Sequence, residues 1–165
     1  MGYAQLSEGR VEKLNVIEEI ERAIVQVFPP AVPDKIKIHR EFGHGFPPLL
    51  MQRGHLSEIL VNLLQNAREA LGEKGNVFVS ADCHRDYAVE ISVRDDGPGI
   101  PPEKTERIFE AYFTTKEKGS GLGLSIVKHN IELYGGNIRL ESKLGQGAKF
   151  TLIFPAKALM KIDSK

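Results

Sequence analysis

Apolar positions along this chain change their period from segment to segment, and each period predicts an element. Val16, Ile17, Ile20, Ile24 and Val27 recur at helical spacing. Asn15 with Glu18 three residues later is a capping-box start and Pro29-Pro30 a stop, so a helix is predicted between them. Lys35 to Glu41 alternates, Ile36 and Ile38 against Lys35 and Lys37, and reads as a strand; Gly43 to Pro48 reads as a loop. His55 to Leu71 is the best helix, with Leu56, Ile59, Leu60, Leu63, Leu64, Ala67 and Leu71 on one stripe and Gly72 and Gly75 read as its end. Val77 to Cys83 and Tyr87 to Arg94 alternate on either side of a short turn, as an antiparallel hairpin does. Gly99-Ile-Pro-Pro is a turn, Lys104 to Phe109 a short helix, and Gly121 to Tyr134 a second long helix ended by Gly135-Gly136. Asn137 to Ser142 and Ala148 to Phe154 form a last hairpin around Gly145-Gln-Gly147.

The order β-helix-ββ-helix-ββ predicts an α/β two-layer sandwich. Its sheet is mixed and mostly antiparallel, because strands joined by tight turns cannot be parallel neighbours, and its helices pack on one face. With 165 residues the chain is long enough for one domain with a real core. Residues 12–156 are read as that domain, 1–11 as the end of something upstream, and 157–165 as a tail.

Composition narrows the picture mainly by exclusion. Apolar content of 41% and charged content of 27% are those of an ordinary globular protein. A formal net charge of zero favours neither nucleic acid nor an anionic membrane surface. No run of about 18 apolar residues suggests a membrane span, and the first residues do not resemble a signal peptide. Met1-Gly2 lacks the Ser/Thr a myristoylation motif wants, since position 6 is Leu6. The lone Cys83 excludes an internal disulfide and a multi-cysteine metal site, and a cytoplasmic setting is expected.

Three polar or glycine-rich patterns interrupt the apolar design: Asn62-Leu-Leu-Gln-Asn66, Asp95-Asp-Gly97-Pro-Gly99 and Gly119-Ser-Gly121-Leu-Gly123-Leu124. Glu58, Asn62 and Asn66 stand at i, i+4 and i+8, a polar ridge beside the apolar stripe. Their amides offer neutral oxygens to a hard cation such as Mg²⁺; equally, such a ridge is often a solvated face. Period-two parity with Val89, Ile91 and Val93 puts Asp95 on the apolar side of its strand, where a carboxylate needs a donor such as an adenine amino group. The competing reading is that Asp95 only opens the turn, and Asp96, on the opposite parity, is read as a turn residue. Gly119, Gly121 and Gly123 precede a helix whose free N–H groups attract phosphate, though the same glycines also suit a plain connector. Together the three patterns suggest a nucleotide–metal pocket. Phe109 and Phe113 read as core anchors of a segment whose polar end, Thr115, Lys116 and Lys118, is suited to a mobile flap. His84-Arg85-Asp86 matches a protein-kinase triplet but lies in a hairpin turn and lacks the downstream Asn, so it is set aside.

At these residues the chain resembles the catalytic, ATP-binding domain of bacterial two-component sensor histidine kinases, within the Bergerat-type fold shared with gyrase, Hsp90 and MutL ATPases. The resemblance covers about residues 12–155. Its motifs fall, in order, on Glu58 to Ala70, Asp95 to Gly99, Phe109 to Phe113, Gly119 to Gly123 and Gly145 to Gly147. It implies ATP and Mg²⁺ as cofactors. Asp95 would hold the adenine amino group, with Thr151 beside it through water, and Gly97, Gly99, Ile100 and Phe109 would line the pocket. Asn66 and Asn62 would coordinate Mg²⁺, next to Glu58. Gly121, Leu122 and Gly123 would give backbone contacts to phosphate, and 114–120 would form the lid, with Lys116 reaching the γ-phosphate; Thr115, Gly119, Ser120 and Leu124 would also belong to the nucleotide site. Lys116, Asn62 and Asn66 would be the catalytic residues.

Two departures matter. Many members carry a base three residues after the second asparagine, where this chain has Glu69. None of His39, His44, His55, His84 and His129 has the context of the family's acceptor histidine, which sits in an upstream dimerisation hairpin. The resemblance therefore implies a donor domain whose partners are that dimerisation domain, a cognate response regulator and an upstream sensor domain. Residues 1–11 would be the end of the hairpin or its linker. One rival is an ATP hydrolase of the same fold; those relatives have a water-activating glutamate where Asn62 stands. The other is a regulatory nucleotide-binding module without transfer activity.

Overall fold

The computed structural model describes residues 9–30, 35–110 and 123–155. In chain order the elements are β1 (Val11–Leu14), α1 (Val16–Val27), β2 (Lys35–Phe42), β3 (Leu49–Gln52), α2 (Arg53–Leu71), β4 (Lys74–Cys83), β5 (Val89–Asp95), α3 (Pro102–Thr105), α4 (Gly123–Leu133), β6 (Asn137–Lys143) and β7 (Gly147–Phe154). Five strands make the main sheet in the order β2-β4-β5-β7-β6. The β2–β4 pair is parallel and the other three pairs are antiparallel. The two-layer sandwich with a mixed, mostly antiparallel sheet is therefore the observed fold.

Local chemistry explains the helices. Asn15 caps α1 by accepting from the Glu18 N–H at 3.0 Å, and Glu18 and Glu19 suit the positive end of the helix dipole. The apolar stripe of α2 is buried from Leu56 to Ala67, with Leu71 partly buried at its end, and Gly72, at φ 73°, closes the helix by donating to the Arg68 carbonyl. Arg68 in turn donates to the Val27 carbonyl at the end of α1 and lies over the Phe28 ring, which ties the two helices. Leu56, Ile59, Leu60 and Leu63 pack with Val79, Ile91, Val93 and Leu152 in one core. Truncating a leucine there to Ala costs about 2–5 kcal/mol. Glu19 is buried on α1 and its carboxylate lies 3.2 Å from the Arg53 Nε that opens α2. Such a group tolerates burial only with its cation in place.

The structure corrects several boundaries. Gly75 does not end α2; it lies inside β4, beside Ile36 of β2. β4 begins at Lys74 because β2, distant in sequence, supplies its ladder. Tyr87 sits in the hairpin turn at φ 67°, exposed, and β5 starts only at Val89. The short helix covers Pro102–Thr105, and the residues up to Glu110 continue as i→i+3 turns. β1 and β3, four residues each, have no counterpart among the predicted elements; they pair only with each other, Val11 opposite Gln52. Among the described residues no helix is long and apolar enough to cross a membrane.

Candidate functional site

Asp95 is the last residue of β5 and shares the helix-facing side of the sheet with Val89, Ile91 and Val93. It is 5% exposed, its Oδ1 accepts from the Gly97 N–H at 2.9 Å, and the Ala148 N–H also bonds it. Burial pushes its carboxyl above the usual carboxylate range, a shift that these two N–H groups reduce and do not cancel. A carboxylate in that state gains from any further donor. Protonation removes an acceptor, so adenine binding through Asp95 should weaken as pH falls through the raised pKa. Titrating affinity against pH should place this loss at a higher pH than an ordinary aspartate gives; affinity flat across the acidic range would contradict it.

Thr151 is not beside Asp95. Asp95 pairs with Ala148, whereas Thr151 pairs with Ser92 on one side and Arg139 on the other. Three positions along a pleated strand reverse the face, so Thr151 points away from the helices. Its hydroxyl is buried there, with no hydrogen-bond partner. The residue next to the Asp95 carboxylate is Ala148, which presents an N–H and no hydroxyl. Counting parity back from Phe154 and Phe150 is the signal that finds it.

The turn after Asp95 is laced to the β6–β7 hairpin. Ile100 N–H donates to Ser142 Oγ at 2.7 Å, Ser142 Oγ donates to the Gly147 carbonyl at 2.9 Å, and Gly145 N–H donates to the Pro98 carbonyl at 2.7 Å. Gly97 packs against the end of α2: a β-carbon there would lie 2.9 Å from Asp95 Oδ1 and 3.2 Å from the Ala70 carbonyl. Gly147 has φ +89°, and a β-carbon would strike the Asp95 carbonyl oxygen. Gly147→Ala should therefore destabilise the fold by about 2 kcal/mol or more, read as a lowered melting temperature. An unchanged melt would show that this contact relaxes freely.

The polar ridge of α2 runs from this turn to the start of α4. Asn62 Nδ2 donates to the Glu58 carbonyl at 2.8 Å, and its Oδ1 stands 2.9 Å from where a β-carbon on Gly123 would be. Glu58 Oε1 accepts from Asn130 Nδ2 at 3.0 Å, and Asn130 is buried. Glu58 thus bonds α4 and Asn62 stands against its first residue, while Asn66, half-buried, lies one turn further along the ridge toward Ala70 and Gly97. Ile100, Phe109 and Leu124 pack partly buried against the core, with Phe109 edge-on to Phe150 at 6.2 Å between ring centres. The pattern around Tyr112, Phe113, Thr114, Thr115, Lys116, Lys118, Gly119, Ser120, Gly121 and Leu122 lies outside the described residues.

Sequence patterns do not single out Ser142, Ala148, Asn130 or the pair Asn76–Asp96. Asp96 does more than shape a turn: its carboxylate accepts from the Asn76 side-chain amide at 2.9 Å and backbone N–H at 2.8 Å, which hold its pKa below the usual range. Each of these bonds joins strands or helices distant in sequence, so no local signal announces them.

A buried acceptor at the end of a central strand, a glycine turn beside it and a polar ridge leading to a helix N-terminus define a nucleotide-binding α/β sandwich. The family profile described as histidine kinase-, DNA gyrase B-, and HSP90-like ATPase matches residues 51–158. The chain belongs to that family of ATP-binding domains. It is 39% identical over 142 residues to the sensor histidine kinase ZraS of Escherichia coli K12, covering 86% of this chain and 30% of that protein. The catalytic domain of histidine kinase ThkA is similar at 33% identity and a TM-score of 0.79, covering 88% of this chain and 95% of that one. A structure of ThkA in complex with the response regulator protein TrrA gives 32% identity and a TM-score of 0.74, covering 88% and 41%. Full-length ShkA in complex with AMPPNP gives 32% identity and a TM-score of 0.78, covering 88% and 31%. The chain spans less than a third of the length of the curated relatives it matches.

Proposed function

We propose that this chain is the phosphoryl-donor domain of a sensor histidine kinase, binding ATP with Mg²⁺ and donating the γ-phosphate to a histidine on a separate dimerisation domain. The observation that carries the reading is the buried Asp95 carboxylate, displaced above its usual pKa and joined by the α2 ridge to the first turn of α4. Asp95 takes the adenine amino group, and Gly97, Gly99, Ile100 and Phe109 surround the ring. Asn66 and Asn62 offer amide oxygens to Mg²⁺. Among the described residues no three His, Cys, Asp or Glu side chains come together as a metal cage, which suits an ion resting on amides, water and the substrate's own phosphates. Once bound, Mg²⁺ supplies charge neutralisation on the phosphates. Lys116, Thr115 and the 119–124 glycine segment are assigned to the phosphate end on the family resemblance. On the same ground residues 12–156 form the domain, joined by Val11 of β1, with the residues before β1 the end of the dimerisation hairpin or its linker and 157–165 a tail, all of it cytoplasmic. A response regulator then receives the phosphoryl group, as the ThkA complex with TrrA suggests by analogy.

To test this, the chain, labelled ATP·Mg²⁺ and a separately purified dimerisation domain from the parent kinase are mixed. Acid-labile label on the partner's histidine is the expected result. No label on the partner, with ATP binding intact, would favour a regulatory nucleotide-binding module instead.

A further inference from the structure

We propose that Asp96 is a positioning residue for adenine selection, acting through a clamp with Asn76 that holds the Asp95 carboxylate in place. The inference rests on the ATP-binding reading above and assigns that site a specificity determinant. The β4–β5 ladder ends with Val77 opposite Asp95, so the adenine acceptor stands on the last paired residue of its strand. One step further, Asp96 and Asn76 face each other and replace the missing ladder. Asp96 N–H donates to the Asn76 carbonyl at 3.3 Å. In return the Asp96 carboxylate accepts from Asn76 N–H at 2.8 Å and from Asn76 Nδ2 at 2.9 Å. Gly97, the next residue, donates to Asp95 Oδ1. The clamp therefore fixes the backbone on the far side of Asp95, and through it the N–H that orients the carboxylate.

Asn76 is itself held. A carboxylate only accepts, so Asn76 turns its amide nitrogen to Asp96 and its oxygen outward. That oxygen lies 2.8 Å from His39 Nε2, which must carry the proton. The His39 ring stacks on Phe78 at 4.7 Å between ring centres and 15° between planes, and Arg94 lies 3.9 Å over the same Phe78. Every donor in this relay, from β2 through β4, points toward Asp96. An acid that merely shaped a turn would need neither the two-point grip nor the oriented amide behind it.

The experiment is calorimetry of ATP·Mg²⁺ and GTP·Mg²⁺ on the chain, with thermal melts alongside. Asp96→Asn puts an amide nitrogen against the Asn76 amide and breaks one arm of the clamp; ATP affinity should fall roughly tenfold with GTP little changed. The exchanged pair, Asn76→Asp with Asp96→Asn, restores complementary donors and acceptors and should return ATP affinity to within about threefold of wild type. In an Asp95→Asn background, Asp96→Asn should change ATP affinity by less than about twofold, because its route runs through Asp95. The inference is overturned if Asp96→Asn binds ATP like wild type. It is also overturned if ATP and GTP weaken equally with a lowered melt, or if the loss persists undiminished in the Asp95→Asn background. A wild-type chain that bound no ATP would overturn the nucleotide reading first, and this inference with it.

Discussion

ATP·Mg²⁺ is expected to bind this chain at least about tenfold more tightly than GTP·Mg²⁺. The preference comes from Asp95, whose buried carboxylate has lone pairs to offer beyond the bonds from Gly97 and Ala148. Adenine brings an amino donor to it, whereas guanine brings a carbonyl. Setting an acceptor against a buried carboxylate leaves both unsatisfied, at a cost of about 1–3 kcal/mol, which corresponds to roughly a tenfold or greater loss. Asp95→Asn keeps an oxygen for Gly97 and adds a donor. It should therefore weaken ATP and narrow the gap to GTP. The same substitution should cost the empty fold little. A carboxyl whose folded pKa is raised stabilises the fold below its unfolded value and loses that contribution as pH rises through the folded one, so above that pH removing the charge takes away a cost. Equal affinities for ATP and GTP, measured by calorimetry, would remove Asp95 from the adenine site.

The second large effect is expected in turnover. Alone, the chain should bind ATP yet release no inorganic phosphate at an appreciable rate, because the ridge side chain at the start of α4 is the amide Asn62, and the ridge carboxylate Glu58 is turned to Asn130, about two turns further along that helix. Glu58 Oε1 is engaged by Asn130, and Asn62 donates its amide to the Glu58 carbonyl while its oxygen faces Gly123. An amide cannot take a proton from water in any case. On the proposed reading Asn66→Ala removes an amide oxygen offered to Mg²⁺ without touching the buried α2 stripe, and should abolish phosphoryl transfer to the dimerisation domain. Steady phosphate release that disappears in Glu58→Ala would make the chain a hydrolase.

Much of this site is legible in the amino-acid order. The seven apolar positions of α2, the Asn15 cap and the parity of Asp95 are local facts, set by helical and strand periods that hold wherever the segment lies. The short strands β1 and β3 are not legible there, because four residues carry too little pattern and their only partners are each other. Thr151 shows the same limit from the other side. Its distance from Asp95 in the sheet follows from register, and register is a property of two strands together.

By itself, then, the amino-acid order determined the long helices and the strands of the main sheet, though not β1 and β3, and that a carboxylate, two asparagines and three glycine groups are exceptions to a core-building pattern. Their company was decided by the tertiary fold. Packing α2 across the sheet brought Ala70 to Gly97 and Asn62 to Gly123, pairing β5 with β7 set Ala148 rather than Thr151 beside Asp95, and extending β4 to Lys74 put Asn76 opposite Asp96. These contacts are long-range hydrogen bonds and close approaches. Each depends on two segments meeting in one register and at one distance, and no period within either segment encodes that meeting.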